Sequence, residues 1–144
     1  MPDIKHAIAI DASPEAIYPL ISSGAGFSKW WAEDVREEDA GRTVELGFFN
    51  RATIYQLQLI RAVAGAHAEW LCKSGKEWQG TRLLFHLSPS KSQTLLHFSH
   101  ADWQSETDYF TFCNTTWGEL MFRLRAAAEG KSPGPLFSAT GLAY

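Results

Sequence analysis

The chain has 144 residues, of which 45% are hydrophobic and 20% charged, with a formal net charge of −3. That composition is ordinary for a globular protein and suits one domain over residues 1–144 with a sizeable core. Lys and Arg are scattered without a basic run, which argues against nucleic acid. No stretch of about 18 apolar residues offers a membrane span. The N-terminus lacks the charged-then-apolar order of a signal peptide, so a cytoplasmic location is expected.

Ile4, His6, Ile8 and Ile10 alternate with Lys5, Ala7 and Ala9, the pattern of a half-buried first strand. Asp11 to Glu15 then opens a helix, with Ser13 as cap, Pro14 at its first position and Glu15 at its positive end. Pro19 removes a backbone donor and keeps this helix short. Ser22 to Gly26 reads as a turn, and Phe27 to Trp31 as a second short helix dense in aromatics. Residues 33–42 are charged and fit a solvated connection or an edge strand.

Val44, Leu46 and Phe48 share one face of the next strand. Thr53 to Val63 is a long strand with Tyr55, Leu57 and Leu59 on one side, and the adjacent Leu59 and Ile60 predict a bulge or two-sided burial. Ala68, Trp70 and Cys72 share a face, and a loop from Gly75 to Gly80 carries Trp78. Leu83, Phe85 and Leu87 lie on the side of Leu96 and Phe98 in a hairpin, whose reverse side carries Leu84, His86, Leu95 and His97.

Tyr109 to Lys131 reads as one long amphipathic helix. Phe110, Cys113, Trp117, Leu120, Leu124 and Ala127 recur at three- and four-residue steps. Ser105 with Asp108 makes a capping-box-like start and Gly130 a stop. About 25 residues at about 1.5 Å each span roughly 37 Å. The tail over residues 131–144, with Pro133 and Pro135, is expected to be irregular. With no export signal, Cys72 and Cys113 are read as free buried thiols. Helices flanking a run of strands mean an α+β fold: a predominantly antiparallel sheet of six to seven strands, curved around the last helix, with two short helices after the first strand.

These pieces resemble a family. Ser13-Pro14-Glu15, Phe27 to Trp31, and Trp78 to Thr81 leading into Leu84-Phe85 match in order and spacing. So do Thr94 to His100, and Cys113, Trp117-Gly118, Leu120, Leu124 and Glu129-Gly130. Together they resemble the helix-grip superfamily called SRPBCC or START-like, in its bacterial branch related to the heat-shock-protein-90 ATPase activator. The resemblance covers residues 4–131; Pro19 and the charged 33–42 region depart from it. It implies a hydrophobic cavity between sheet and long helix that takes lipids, polyketides or other apolar molecules. Some members are cyclases and some co-chaperone domains, and fold alone does not decide among these.

A cavity of that kind makes Trp30, Leu46, Phe48, Tyr55, Leu57, Trp70, Phe85, Phe98, His100, Cys113, Trp117, Leu120 and Met121 the ligand contacts. Close packing is the plainer reading of the same faces, and the Trp30-Trp31 pair either closes a cavity mouth or forms a small core. His100 and His6 share faces with apolar residues and are the candidate acid–base groups, although hydrogen-bonded core histidines are commoner. His86 and His97 face each other without a visible third ligand, so no metal is expected. No G-x-S-x-G elbow or phosphate-binding loop occurs, and Lys29 replaces the third glycine of a dinucleotide fingerprint. Binding of an apolar small molecule without cofactor therefore leads. A cyclase- or dehydratase-type enzyme using a pocket histidine is the first alternative. The second is a protein-interaction module with a chaperone partner, the acidic 33–42 segment being its surface. Homodimerisation stays open, since no self-complementary surface is legible.

Overall fold

The structure is a computed structural model that describes residues 1–139 and 141–142. Seven antiparallel strands form one sheet in the order β1-β7-β6-β5-β4-β3-β2. They are β1 Ile4–Ile10, β2 Asp34–Glu38, β3 Thr43–Phe48, β4 Thr53–Val63, β5 His67–Cys72, β6 Arg82–Ser90 and β7 Gln93–Ala101. Strands β2 to β7 form a meander, and β1 returns to pair with β7, Ile4 opposite His100 and Ile10 opposite Thr94. The β6–β7 register sets Leu83 against His100, Phe85 against Phe98 and Leu87 against Leu96, all facing the core as face parity predicts. The β4–β5 pairing slips between Leu59 and Arg61, the bulge expected where Leu59 and Ile60 break alternation.

Three helices cover one face. Helix α1, Pro14–Ile21, starts on Ser13, whose hydroxyl accepts from the Ala16 N–H, and Pro19 lies inside its eight residues. Helix α2, Gly24–Phe27, is shifted from the expected Phe27 to Trp31. Ser23 rather than a later residue caps it, accepting from the Gly26 N–H, so Ser22 to Gly26 is a helix start and not only a turn. Trp30 and Trp31 consequently sit in the turn after α2. Freed from helical geometry, both rings point inward and stack at 5.7 Å. Of the two alternatives for the charged 33–42 segment, its first part is the edge strand β2, and a single 3-10 turn, Asp39–Gly41, follows.

Helix α3, Asp108–Ala128, has 21 residues, about 31 Å at about 1.5 Å per residue rather than 37 Å. Its cap is Thr107 and not Ser105: the Thr107 hydroxyl accepts from the Phe110 N–H and donates to Glu77 Oε1 at 2.6 Å. That second bond ties the helix start to the β5–β6 loop. Gly130, at φ +83°, ends the helix in the left-handed conformation glycine tolerates. The tail is not wholly irregular. It folds a two-strand ribbon, β8 Phe137–Ser138 with β9 Gly141–Leu142, and Phe137 bridges Ala32. Cys72 and Cys113 are free and buried. No helix among the described residues is long and apolar enough to cross a membrane.

The two short helices are fixed by aromatic wedges. The last carbonyls of α1 lack helical partners; the Trp30 indole N–H donates to Leu20 O and that of Trp70 to Ile21 O, each at 2.9 Å. Phe27 packs between Trp31 and Trp70, 5.1 Å from each. This approach requires a bare Gly26, where a Cβ would press on the Pro19 carbonyl and come within 2.7 Å of Leu20 Cα. Gly26→Ala is expected to destabilise the fold by about 3 kcal/mol, the upper range for overpacking, because the opposing atoms are backbone. Urea unfolding monitored by tryptophan fluorescence measures it.

Candidate functional site

A cavity of about 300 Å³ opens where the middle of α3 passes over β3, β4 and the β5–β6 loop. Its walls are Trp31, Phe48, Tyr55, Trp78, Cys113, Trp117 and Leu120, with Thr53, Tyr109, Thr116, Leu142 and the more exposed Phe49 and Phe112 around the rim. Phe137 of the tail closes one side, edge-on to Phe48 at 5.0 Å. Three tryptophans from three separate segments meet here: Trp31 lies 5.0 Å from Trp117, and Trp78 6.2 Å from it. The Tyr55 ring stacks on Trp78 at 4.1 Å, nearly parallel.

Backbone conformation holds these rings in place. Gly75, at φ +103°, lets the β5–β6 loop fold over Tyr55; a Cβ there would come within 2.7 Å of Tyr55 Cδ1. At the rim, Phe49, Asn50 and Arg51 occupy the left-handed region in succession, at φ +52°, +57° and +68°. Such a conformation costs each side-chain-bearing residue about 1–2 kcal/mol. Arg51 offsets part of this by donating to Asp34 at 2.8 Å and to Glu45.

The cavity is electrically quiet. Among the described residues, no Asp, Glu, Lys or Arg borders it. The Tyr55 and Tyr109 hydroxyls hydrogen-bond each other, and burial raises both phenols above their usual range. Burial likewise raises the Cys113 thiol. These groups all stay protonated and neutral at ordinary pH. The Trp78 indole N–H, deep in the wall, makes no full hydrogen bond and has the Cys113 thiol as polar neighbour.

The structure brings five of the expected contacts to this cavity: Phe48, Tyr55, Cys113, Trp117 and Leu120. Trp30, Leu46, Leu57, Trp70, Phe85, Phe98 and Met121 are core and do not border it. The reason is the Phe27 to Trp31 turn, which fills the space between helix and sheet that parity alone left open. Trp30 meets Phe85 at 6.4 Å and Phe27 covers Trp70. Trp117 has one face on Phe98, at 4.3 Å, and borders the cavity with another part of its ring. Of the Trp30-Trp31 pair, expected either to close a cavity mouth or to form a small core, Trp31 borders the cavity and Trp30 does not. Residues missed from sequence are Trp78 and Tyr109, with Phe49, Thr53, Phe112, Thr116, Phe137 and Leu142. Trp78 and Phe137 carry no periodic signal, since Trp78 reaches the cavity from a loop and Phe137 from a two-residue strand of the tail.

His100 lies behind the cavity wall. Its Nδ1 accepts from the Trp117 indole N–H at 3.1 Å. Its Nε2 pairs at 2.8 Å with the Thr81 hydroxyl, which itself donates to the Trp78 carbonyl. The consistent assignment is a neutral ring donating from Nε2. Burial pushes its pKa down to about 3. It does not border the cavity, and with both nitrogens engaged it is not a free acid–base group. His6 lies under Gly118 of α3, 3.6 Å from where a Cβ there would stand, and is also outside the cavity.

A sheet gripping one long helix, with an apolar cavity between them, defines the helix-grip class of proteins, SRPBCC or START-like. Among solved structures, the Aha1 dimer from Colwellia psychrerythraea is 30% identical over 91% of this chain and 98% of that one, with a TM-score of 0.78. The chain belongs to this Aha1-type branch of the superfamily. CalU16 from Micromonospora echinospora (17% identity, 92% of this chain and 68% of that one, TM-score 0.71) shares the fold. So does DynU16 of the dynemicin biosynthetic locus (9% identity, 94% and 50%, TM-score 0.75). Neither a protein-family model nor a curated protein matches.

His100 makes stability depend on pH. Its folded pKa lies below the ordinary unfolded value of about 6.5, so its contribution is complete above that pH and is lost as pH falls toward 3. Between those limits the group supplies a slope of about 1.4 kcal/mol per pH unit. His100→Gln is expected to lower stability at pH 7 and to flatten the stability profile between pH 6 and pH 4 relative to the parent. Urea titrations at several pH values compare the two.

Proposed function

We propose that the chain binds a neutral, flat, apolar small molecule of aromatic or polyketide-like class in the cavity under α3. The observation that carries this reading is the cavity itself: about 300 Å³, walled by stacked aromatic rings and bordered, among the described residues, by no charged side chain. An apolar protein cavity of about 150 Å³ holds benzene, so this one suits a molecule of two or three fused rings. The Tyr55 and Tyr109 hydroxyls and Thr116 supply the few polar contacts that would orient it. Acid–base turnover by a pocket histidine loses support, because His100 and His6 both lie outside the cavity.

Naphthol, a neutral two-ring probe, is expected to bind once per chain and to quench the fluorescence of the cavity tryptophans. Naphthalenesulfonate should bind much more weakly. Thr116→Phe, placed at the half-exposed rim, should weaken naphthol about tenfold, about 1.4 kcal/mol. No saturable quenching by naphthol, or an unchanged affinity in a folded Thr116→Phe protein, would sink the reading.

A second reading, association into a homodimer, rests on the Colwellia relative, which is described as a dimer. Phe112 and Phe122 stand on the solvent side of α3 with 70% and 56% exposure, the kind of apolar surface a second copy would cover. Sedimentation velocity should show dimer for the parent and monomer for Phe122→Ser. A parent that stays monomeric at its highest soluble concentration defeats this reading.

A further inference from the structure

The sheet face turned away from α3 carries a row of imidazoles. His67 on β5 is directly opposite His86 on β6, and His86 is directly opposite His97 on β7. The row takes three of the chain's five histidines. Directly opposed residues of antiparallel strands have Cβ atoms about 5 Å apart, which brings two side chains within reach of one small ion. The His67 and His86 rings are 5.7 Å apart and tilted by 56°. Two imidazoles that share a metal at about 2.1 Å from each nitrogen hold their ring centres about 5 Å apart, so a small rotation closes the pair.

A second feature distinguishes His67 from an ordinary surface histidine. Its Nε2 lies 3.3 Å from Glu69 Oε1. Glu69 Oε2 in turn accepts from Arg82 Nη1 at 2.9 Å, and Arg82 Nε donates to Asp102 at 2.7 Å. One oxygen of the Glu69 carboxylate is thus taken by the Arg82 guanidinium and the other faces the His67 ring. A carboxylate oxygen accepts, so the ring proton sits on Nε2 and the Nδ1 lone pair is left free. Carboxylate to imidazole to ion is the outer-shell arrangement that orients metal-bound histidines.

We propose that His67 and His86 form a two-imidazole site for a divalent transition-metal ion of the Zn²⁺ or Cu²⁺ type on the outer face of the sheet, with Glu69 as the residue that positions His67. Imidazole nitrogen suits ions of this class. Among the described residues no three histidine, cysteine or carboxylate side chains already converge on one point, so water completes the coordination. On the core side, His100 has both nitrogens engaged, and burial pushes the Cys72 thiol up to about 12.

The test is calorimetric titration of the untagged full chain with Zn²⁺, and electron paramagnetic resonance with Cu²⁺. One ion should bind per chain, and the Cu²⁺ spectrum should show two equivalent nitrogens. His67→Gln and His86→Gln should each abolish saturable binding while circular dichroism stays unchanged. Glu69→Gln should lower affinity about tenfold, the usual effect of removing an outer-shell partner. His97→Gln should leave affinity unchanged. Absence of saturable Zn²⁺ uptake, full affinity in a folded His67→Gln or His86→Gln variant, or loss of binding in His97→Gln would each overturn the assignment. Full affinity in Glu69→Gln would remove the positioning role.

Discussion

One buried imidazole joins the three parts on which the cavity depends. His100, on β7, accepts from Trp117 on α3 and donates to Thr81, which bonds the Trp78 carbonyl of the β5–β6 loop. Helix, sheet and loop therefore share one chain of hydrogen bonds in a region otherwise lined by aromatic rings. In such a setting a hydrogen bond lost on one side leaves a buried polar atom unpaired, which costs about 1–3 kcal/mol. The arrangement works only with a neutral ring, because a protonated Nδ1 would have a donor facing the Trp117 donor. The candidate acid–base histidine thus has both ring nitrogens engaged and does not border the cavity.

Around that clamp, aromatic rings do two jobs. Phe27, Trp30 and Trp70 fill the centre, and Trp30 and Trp70 also satisfy the last carbonyls of α1. Trp31, Trp78 and Tyr55 extend the same stack to the place where the filling stops. The cavity lies where this filling ends: Phe27 and Trp30 cover Trp70 of β5 and Phe85 of β6, whereas only Trp31 reaches toward β3, at Phe48. There the helix is held off the sheet by rings, and the tail residue Phe137 closes only one side. Latches at the helix start, Thr107 to Glu77 and Tyr109 to Tyr55, keep loop and helix at this separation.

Much of this was legible because period-two patterns survive any uncertainty in register. Leu83, Phe85, Leu87, Leu96 and Phe98 had to share a side, and they do. The bulge showed itself as two adjacent apolar residues, Leu59 and Ile60. The illegible parts are those decided by distant partners. Ser105 and Thr107 are both plausible caps, and Thr107 is the one that also reaches Glu77, thirty residues away. Trp30 and Trp31 looked helical until Ser23 started the helix three residues early. More than half of the expected contacts are buried outside the cavity, because sequence shows which face a residue takes, and not what else is packed upon that face. The same limit hid His67: the His86–His97 pairing follows from a tight hairpin, whereas the β5–β6 register depends on a nine-residue connection, Lys73 to Thr81.

The place of β1 in the sheet has a consequence for how the chain reaches this state. Strands β2 to β7 pair with sequence neighbours and can form as hairpins close, each at small loop-closure cost. The first strand instead bonds the last strand of the meander, Ile4 to His100 across 96 residues, and α3 then packs on β1. During synthesis the β1 segment waits, its apolar face uncovered, until β7 and α3 have left the ribosome. Long-range pairing of this kind slows folding and lengthens exposure to aggregation. The alternation that marks β1, with Lys5 and two alanines on its outer side and only its inner residues strongly apolar, limits how adhesive that waiting segment is.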